Sequence, residues 1–196
     1  MKSYFNKPLA AIAVLFTLFL SACSTFQPSS NAPLPKDIKQ LDTWTVRGKI
    51  LIKTATDKES GYLYWHKNKN TSQFSLNAFI GVNILKLSTT KGLSTLEFGG
   101  NVYQDTNPTR LIKTITGIDL PLAHLEYWVR GQLKGKETRI TKQNNQIKQF
   151  AYFSQQQNWQ VKYSKYQPQK IYQLPMNITL TGEQTRLKLS ISSWEF

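Results

Sequence analysis

The residues able to do chemistry in this chain are few. Among 196 residues there are two histidines, His66 and His124, and one cysteine, Cys23. His66 stands in "YLYWHK" and His124 in "LAHLEYW", and neither has the HExxH or paired-histidine spacing that holds a metal. Both read as ordinary polar histidines. No GxSxG elbow occurs, and the 11 acidic residues are scattered rather than paired. Glu126 follows His124 by two positions, but a solvated helical residue accounts for it far better than an acid or base does. The sequence therefore predicts no enzyme, no metal and no cofactor.

Cys23 has a more specific setting. Lys2 and Lys7 precede a 12-residue apolar run, Leu9 to Leu20, which is too short to span a bilayer and suits a signal-peptide core. The run ends in "LSAC", which resembles the lipobox of bacterial lipoproteins, where the cysteine is lipidated and becomes the first mature residue. Residues 1 to 22 are accordingly set apart as a signal peptide. A lone thiol in an exported protein is otherwise a liability, and lipidation explains it. Ser24, in place of Asp, implies by the same resemblance sorting to the outer membrane, facing the periplasm. Residues 23 to 35, with "STFQPSSNAPLP" after the cysteine, read as a lipidated start and a Pro-rich flexible tether. Fully extended, at about 3.5 Å per residue, the tether reaches about 40 Å.

Residues 36 to 196 are expected to form one domain. Its periodicity is mostly of period two. In "WTVRGKILIK" Trp44, Val46, Ile50 and Ile52 share one face and Thr45, Arg47, Lys49 and Lys53 the other. The same alternation puts Leu63 with Trp65, Phe74 with Leu76, Leu85 with Leu87, Leu96 with Phe98, Phe150 with Tyr152, and Trp159 with Val161 and Tyr163. It recurs for Ile178 with Leu180 and for Leu187, Leu189 and Ile191. Many short antiparallel strands imply a sandwich, a barrel or one curved sheet.

Two segments depart from this rule. "NPTRLIKTITG" (107 to 117) has an N-cap asparagine, Pro108 at the first helical position, an apolar row of Leu111, Ile112 and Ile115, and Gly117 as a stop. "LPLAHLEYWVRG" (120 to 131) repeats the plan, with Pro121 at the start, Leu122, Leu125, Trp128 and Val129 on one stripe, and Gly131 past the end. Two short amphipathic helices amid eight to eleven strands are expected to lie across one mouth or face of the sheet, as a lid or plug.

Charge is the other strong feature. Removing Lys2 and Lys7 from the 25 basic residues leaves 23 against 11 acidic ones, a net charge of +12. The export signal excludes nucleic acid, so the basic face meets phospholipid headgroups, an acidic carrier or anionic glycolipid, or is simply solvated.

Several stretches together resemble the LolB family of outer-membrane lipoprotein receptors: "WTVRGKI", "YLYWH", "FSLNAFIGVNILKL", "TGIDLPLAHLEYWVRG", "NWQVKYSKY", "LPMNITLT" and "RLKLSISSW", in the family's order across residues 44 to 194. The resemblance implies a mainly β fold, an incomplete antiparallel barrel of about eleven strands with short helices over a hydrophobic cavity. It implies a monomer that accepts acylated lipoproteins from the periplasmic carrier LolA and places them in the inner leaflet of the outer membrane. Trp44, Val46, Ile50, Leu63, Trp65, Phe74, Leu76, Leu85, Leu87, Leu96, Phe98, Ile112, Ile115, Leu125, Trp128, Trp159 and Val161 are the expected acyl-chain lining. The same residues fit a packed core equally well. The resemblance also makes the tip of "AFIG" the membrane-inserting loop, carried here by Ile80 and Phe79, the latter where the family commonly shows Pro. Taken without the family, both side chains are expected to fold back and cap the barrel, because exposure forgoes about 1.5–3 kcal/mol each. The alternative function is a lipocalin-like outer-membrane lipoprotein that binds a small apolar molecule or glycolipid.

Overall fold

The computed structural model describes residues 33–153 and 158–196, so Cys23 and most of the proposed tether lie outside the described residues. Leu34–Phe196 forms one compact unit. After a 3-10 turn at Ile38–Gln40, six strands follow: β1 (Trp44–Lys53), β2 (Lys58–Asn68), β3 (Thr71–Asn77), β4 (Asn83–Thr90), β5 (Leu93–Phe98) and β6 (Asn101–Asp105). Helices α1 (Pro108–Thr116) and α2 (Leu122–Trp128) come next. The chain ends with β7 (Glu137–Gln143), β8 (Gln146–Phe153), β9 (Asn158–Gln169), β10 (Tyr172–Thr181) and β11 (Arg186–Glu195).

All eleven strands belong to one sheet, in the order β6-β5-β4-β3-β2-β1-β11-β10-β9-β8-β7. Every pairing is antiparallel, and β1–β11 alone joins strands that are not consecutive. The sheet is thus two meanders stitched along the first and last strands. β6 and β7 are its edges, so the barrel is incomplete, as the family resemblance implies. The segment that carries α1 and α2 connects these two edges.

Nine strands were legible as alternation, and the two that were not are the edges. β6 is exposed or half-buried throughout, and β7 buries only Glu137. With little apolar face to show, they lack a period. Polar edges also resist pairing with other chains, and β7 is further broken by a bulge between Thr138 and Thr141, where Arg139 takes a left-handed φ of 51°.

The helices follow their capping signals. Asn107 Oδ1 accepts from the Arg110 amide at 3.1 Å, Pro108 opens α1, and Gly117 closes it at φ 72° with its amide on the Lys113 carbonyl. α2 is shorter than its sequence pattern, seven residues, and a final turn carries the chain to Gly131, whose amide meets the Trp128 carbonyl.

Two aromatic groups anchor the core. Trp44 packs edge-on to Trp65 and tilted against Trp194, with Phe74 beyond Trp65. Trp128 of α2 packs on Phe150 and Tyr152, and its indole N–H donates to buried Glu137, which also accepts the Lys134 and Gly135 amides. Tyr163 donates to the Trp128 carbonyl at 2.8 Å, and its burial holds the phenol well above its ordinary pKa. α2 is therefore fixed to the β7–β9 side of the sheet by rings and by buried hydrogen bonds together.

The start of the domain is held at one end of this sheet. The Tyr172 hydroxyl donates to the Pro35 carbonyl, and buried Arg130 donates to the carbonyls of Ile38 and Leu41 while its guanidinium faces the rings of Trp44 and Tyr127. The β3–β4 turn projects from the opposite end, the end where Lys53 pairs with Arg186 and Arg186 with Thr181.

Candidate functional site

Two features of the domain bear on function, a cleft and a projecting turn. The cleft, about 670 Å³, opens between β2–β4 and the helices. Trp65, Phe74 and Leu87 form its sheet wall, and Leu122, Ala123 and Pro108 its helical side. Its rim is polar: Asn70, Thr71, Thr89 and Asn107 line it, and Lys67 bridges to Glu126 of α2 at 3.7 Å. The Trp65 indole N–H donates to the Ser72 hydroxyl at 2.9 Å, so it presents no free donor to the space. This volume falls in the usual range for small-ligand sites, about 300–1,000 Å³.

Of the residues expected to line a cavity, Trp65, Phe74 and Leu87 reach this cleft. Trp44, Val46, Ile50, Leu63, Leu76, Leu85, Leu96, Ile112, Leu125, Trp128, Trp159 and Val161 are all buried in one apolar cluster, and Phe98 and Ile115 pack half-buried against it. The inward period-two faces converge on a single interior, of which the cleft is the open part. The helices lie across one face of the sheet as their sequence implies, but which of their residues line the cleft was not distinguishable in sequence.

The turn is Ala78–Gly81. The Gly81 amide closes it on the Ala78 carbonyl at 2.9 Å, and the Ala78 amide reaches the Val82 carbonyl at 2.7 Å. Gly81 takes φ 86°, a conformation that a side chain with a Cβ resists, so the reversal is supplied by this glycine and not by a proline at 79. Ile80 is 86% exposed and Phe79 56%. Neither caps the interior: the Phe79 ring leans on Tyr62, on the outer face of β2. The expectation from burial cost alone, that both fold inward, is overturned, because the short turn holds the pair beyond the last rung of β3–β4 pairing, Asn77 with Asn83. Sequence reasoning missed Tyr62. Its signal was its outward position in "GYLYWHK", directly opposite Lys49 on one side and Asn77 on the other.

The histidines are structural neighbours rather than a pair. His66 Nδ1 meets the Thr45 hydroxyl at 2.9 Å. His124 stacks on Tyr152 at 4.2 Å, and burial, then Lys134, lowers its pKa. Glu126 is engaged by Lys67. Among the described residues no group of three His, Cys, Asp or Glu could hold a metal, and no helix is long and apolar enough to cross a membrane.

A solved structure described as a putative outer membrane lipoprotein-sorting protein domain from Vibrio parahaemolyticus shares the fold, with a TM-score of 0.52 over 82% of this chain and 87% of that one, at 9% identity. The outer-membrane lipoprotein LolB of Shewanella woodyi is 33% identical over 98% of this chain and 92% of its own length. Those of Shewanella sediminis and Pseudoalteromonas translucida are 32% and 28% identical, over 98% and 94% of this chain and 89% and 93% of theirs. The family model described as outer membrane lipoprotein LolB matches residues 42–194, from just before β1 to the end of β11, and takes in the cleft, the helices and the turn. The chain belongs to the LolB family of outer-membrane lipoproteins.

Proposed function

We propose that this protein receives acylated lipoproteins from a periplasmic carrier of the LolA kind and passes them to the inner leaflet of the outer membrane. Cys23 is its lipid anchor, residues 24 to 35 its tether, and residues 36 to 196 the transfer domain. The observation that carries this reading is the cleft between sheet and helices, with Trp65, Phe74 and Leu87 as its sheet wall, in a chain of the LolB family. A lipoprotein's acyl chains expose tens of methylenes, at about 0.8 kcal/mol each, so such cargo must pass from one apolar shelter to another. Trp65, Phe74 and Leu87 offer the first contact, with the buried apolar cluster behind them.

The exposed pair Phe79 and Ile80 acts at the bilayer. Phe79, Ile80 and Val82, apolar side chains at and beside the turn, are exposed by 56%, 86% and 59%, and beside a lipid-anchored chain the membrane is the nearest apolar phase for such a cluster. The cleft volume also favours a second reading, a binder of one small apolar molecule. Native mass spectrometry of the protein mixed with acylated and unacylated forms of one lipoprotein separates the two. Transfer requires a complex that depends on the acyl groups. A small-molecule binder gives none with either form, and that result would sink the proposal.

A further inference from the structure

The outer face of the sheet beside the turn carries cations that cargo transfer leaves unused. Lys49 of β1 lies opposite Tyr62 on one side and Ser190 on the other, and Lys53 lies opposite Arg186. Lys188 and Lys162 flank Thr179 of β10 from its two sides, and Lys165 faces Asn177. All six side chains are exposed. Adjacent strands are about 4.8 Å apart, so these charges form one continuous field across β1, β11, β10 and β9. The five ion pairs among the described residues engage Arg47, Lys67, Lys86, Arg110 and Lys113 and none of these six. The carboxylates nearest in the chain, Asp57, Glu59 and Glu183, sit in or beside the turns that end these strands.

This field is continuous with the projecting turn. Lys49 Nζ lies 6.0 Å from the Tyr62 ring and 5.9 Å from the Phe79 ring, and Phe79 leads to Ile80. Moving back from the tip, the surface runs from bare apolar side chains to an amphipathic ring to ammonium groups. A bilayer has the same order, from acyl chain to interface to phosphate. An acidic protein would use the charges but would leave the projecting Ile80 without a role.

We propose that the β1–β11–β10–β9 outer face docks on anionic phospholipid headgroups, with Lys49, Lys162 and Lys188 at the phosphates and Tyr62 at the interface, orienting the turn for entry. The proposal rests on the reading that Ile80 enters the membrane. Each basic residue held near an anionic surface shifts the docked-to-free ratio about fivefold.

The test uses the full-length lipidated protein with Ile80→Cys carrying an apolar, environment-sensitive fluorophore, reconstituted in vesicles of phosphatidylcholine alone or mixed with phosphatidylglycerol. Because the anchor keeps the protein on the vesicle, the emission reports how often the tip is immersed. The expected result is a larger blue shift with phosphatidylglycerol, reduced about 25-fold in docked ratio or more by Lys162→Glu with Lys188→Glu. The shift should also weaken at about 0.5 M salt, where the Debye length falls to about 4 Å. Equal blue shifts on both vesicles, unmoved by the charge reversals, overturn the headgroup site and leave tip insertion standing. Emission that stays at its aqueous position on both overturns the two together. If the reversals abolish binding of an acidic carrier while the vesicle response is unchanged, the face belongs to a protein and the proposal fails. Unchanged circular dichroism and thermal midpoint certify the variants.

Discussion

The ring of Phe79 stands edge-on to that of Tyr62, with centroids 5.1 Å apart and planes at 89°, on the outside of the sheet. The contact fixes the root of the turn while Ile80 stays free. Such a pair contributes about 0.5–1.5 kcal/mol beyond its area. Tyr62→Ala is expected to lower unfolding free energy by about that much plus the ring's partial burial, measured in urea, and to slow cargo insertion by loosening the turn. Ile80→Glu is expected to leave stability within about 0.5 kcal/mol, as for other surface changes, and to stop insertion outright in a reconstituted transfer assay. Normal insertion by the Ile80 variant would remove the tip from the mechanism.

Phe79→Pro offers a separate reading of the same turn. Proline suits the second position of a four-residue reversal, and Gly81 already supplies the left-handed residue. The variant is expected to fold, the proline's gain of about 0.4–1 kcal/mol offsetting most of the lost ring contact, and to insert cargo more slowly if Phe79 shares the task with Ile80. An insertion rate equal to the parent's would assign the task to Ile80 alone.

Arg130 is 3% exposed and binds two carbonyls of the leading segment, those of Ile38 and Leu41. Arg130→Leu removes the donor from both, but the Ile38 carbonyl keeps the Leu41 amide, so only the Leu41 carbonyl loses its side-chain partner, at about 1–3 kcal/mol. A loss of about 1–3 kcal/mol in urea unfolding is expected, and faster hydrogen exchange in residues 38 to 41 should accompany it. Arg130→Lys should rescue only part of this, since an ammonium cannot reproduce the forked guanidinium.

Asp105 braces the start of α1: its carboxylate accepts from the Arg110 guanidinium at 2.6 and 2.8 Å and from the Asn107 amide at 2.8 Å. The Arg110 hydrogen bond first, then the Asn107 amide, hold its pKa down to about 2. Because the folded value lies below the ordinary one of about 3.9, the contribution to stability is present above pH ~4 and is lost as pH falls through about 2. Carboxyl-carbon NMR should show Asp105 titrating near 2, and Arg110→Ala should move that midpoint up toward ~4.

Thr89 is half-buried on the cleft wall, hydrogen-bonded to Ser94. Thr89→Trp fills the space with a ring. The expected outcome is a folded protein that no longer forms the acyl-dependent complex in native mass spectra. Retention of that complex would place the acyl site elsewhere.

Much of this architecture could be read from residue types, and the exceptions have physical causes. Strands with one buried face announced themselves by alternation, and α1 by Asn107, Pro108 and Gly117. β6 and β7 bury too little to show a period. The turn joining β7 to β8 was also obscured: Asn144–Asn145, left-handed at both residues, lies in a polar stretch with no apolar flank on the β7 side. The exposed turn was visible as an anomaly, Phe and Ile where polar residues are usual. What the pair rests on was not visible, because Tyr62 and Lys49 come together only through strand register. The division between cleft wall and packed interior was likewise hidden, since apolar type and inward position are the same for Trp65, which reaches the cleft, and Trp159, which is fully buried.

Pro35 is held by Tyr172 at one end of β10, while the turn projects toward the other, where Thr181 lies. Nine residues of strand separate those ends, about 30 Å. On the proposal that Cys23 is the anchor, twelve residues of chain lead to Pro35, a contour of about 40 Å at full stretch. To stand on its tip, the domain must be suspended upside down from its own leash, with roughly 10 Å of slack. Cutting six residues from that leash would leave about 20 Å, enough to let the domain lie on its basic flank and too little to let it stand. On that proposal the length of "STFQPSSNAPLP", rather than its composition, sets the postures open to the domain on the membrane.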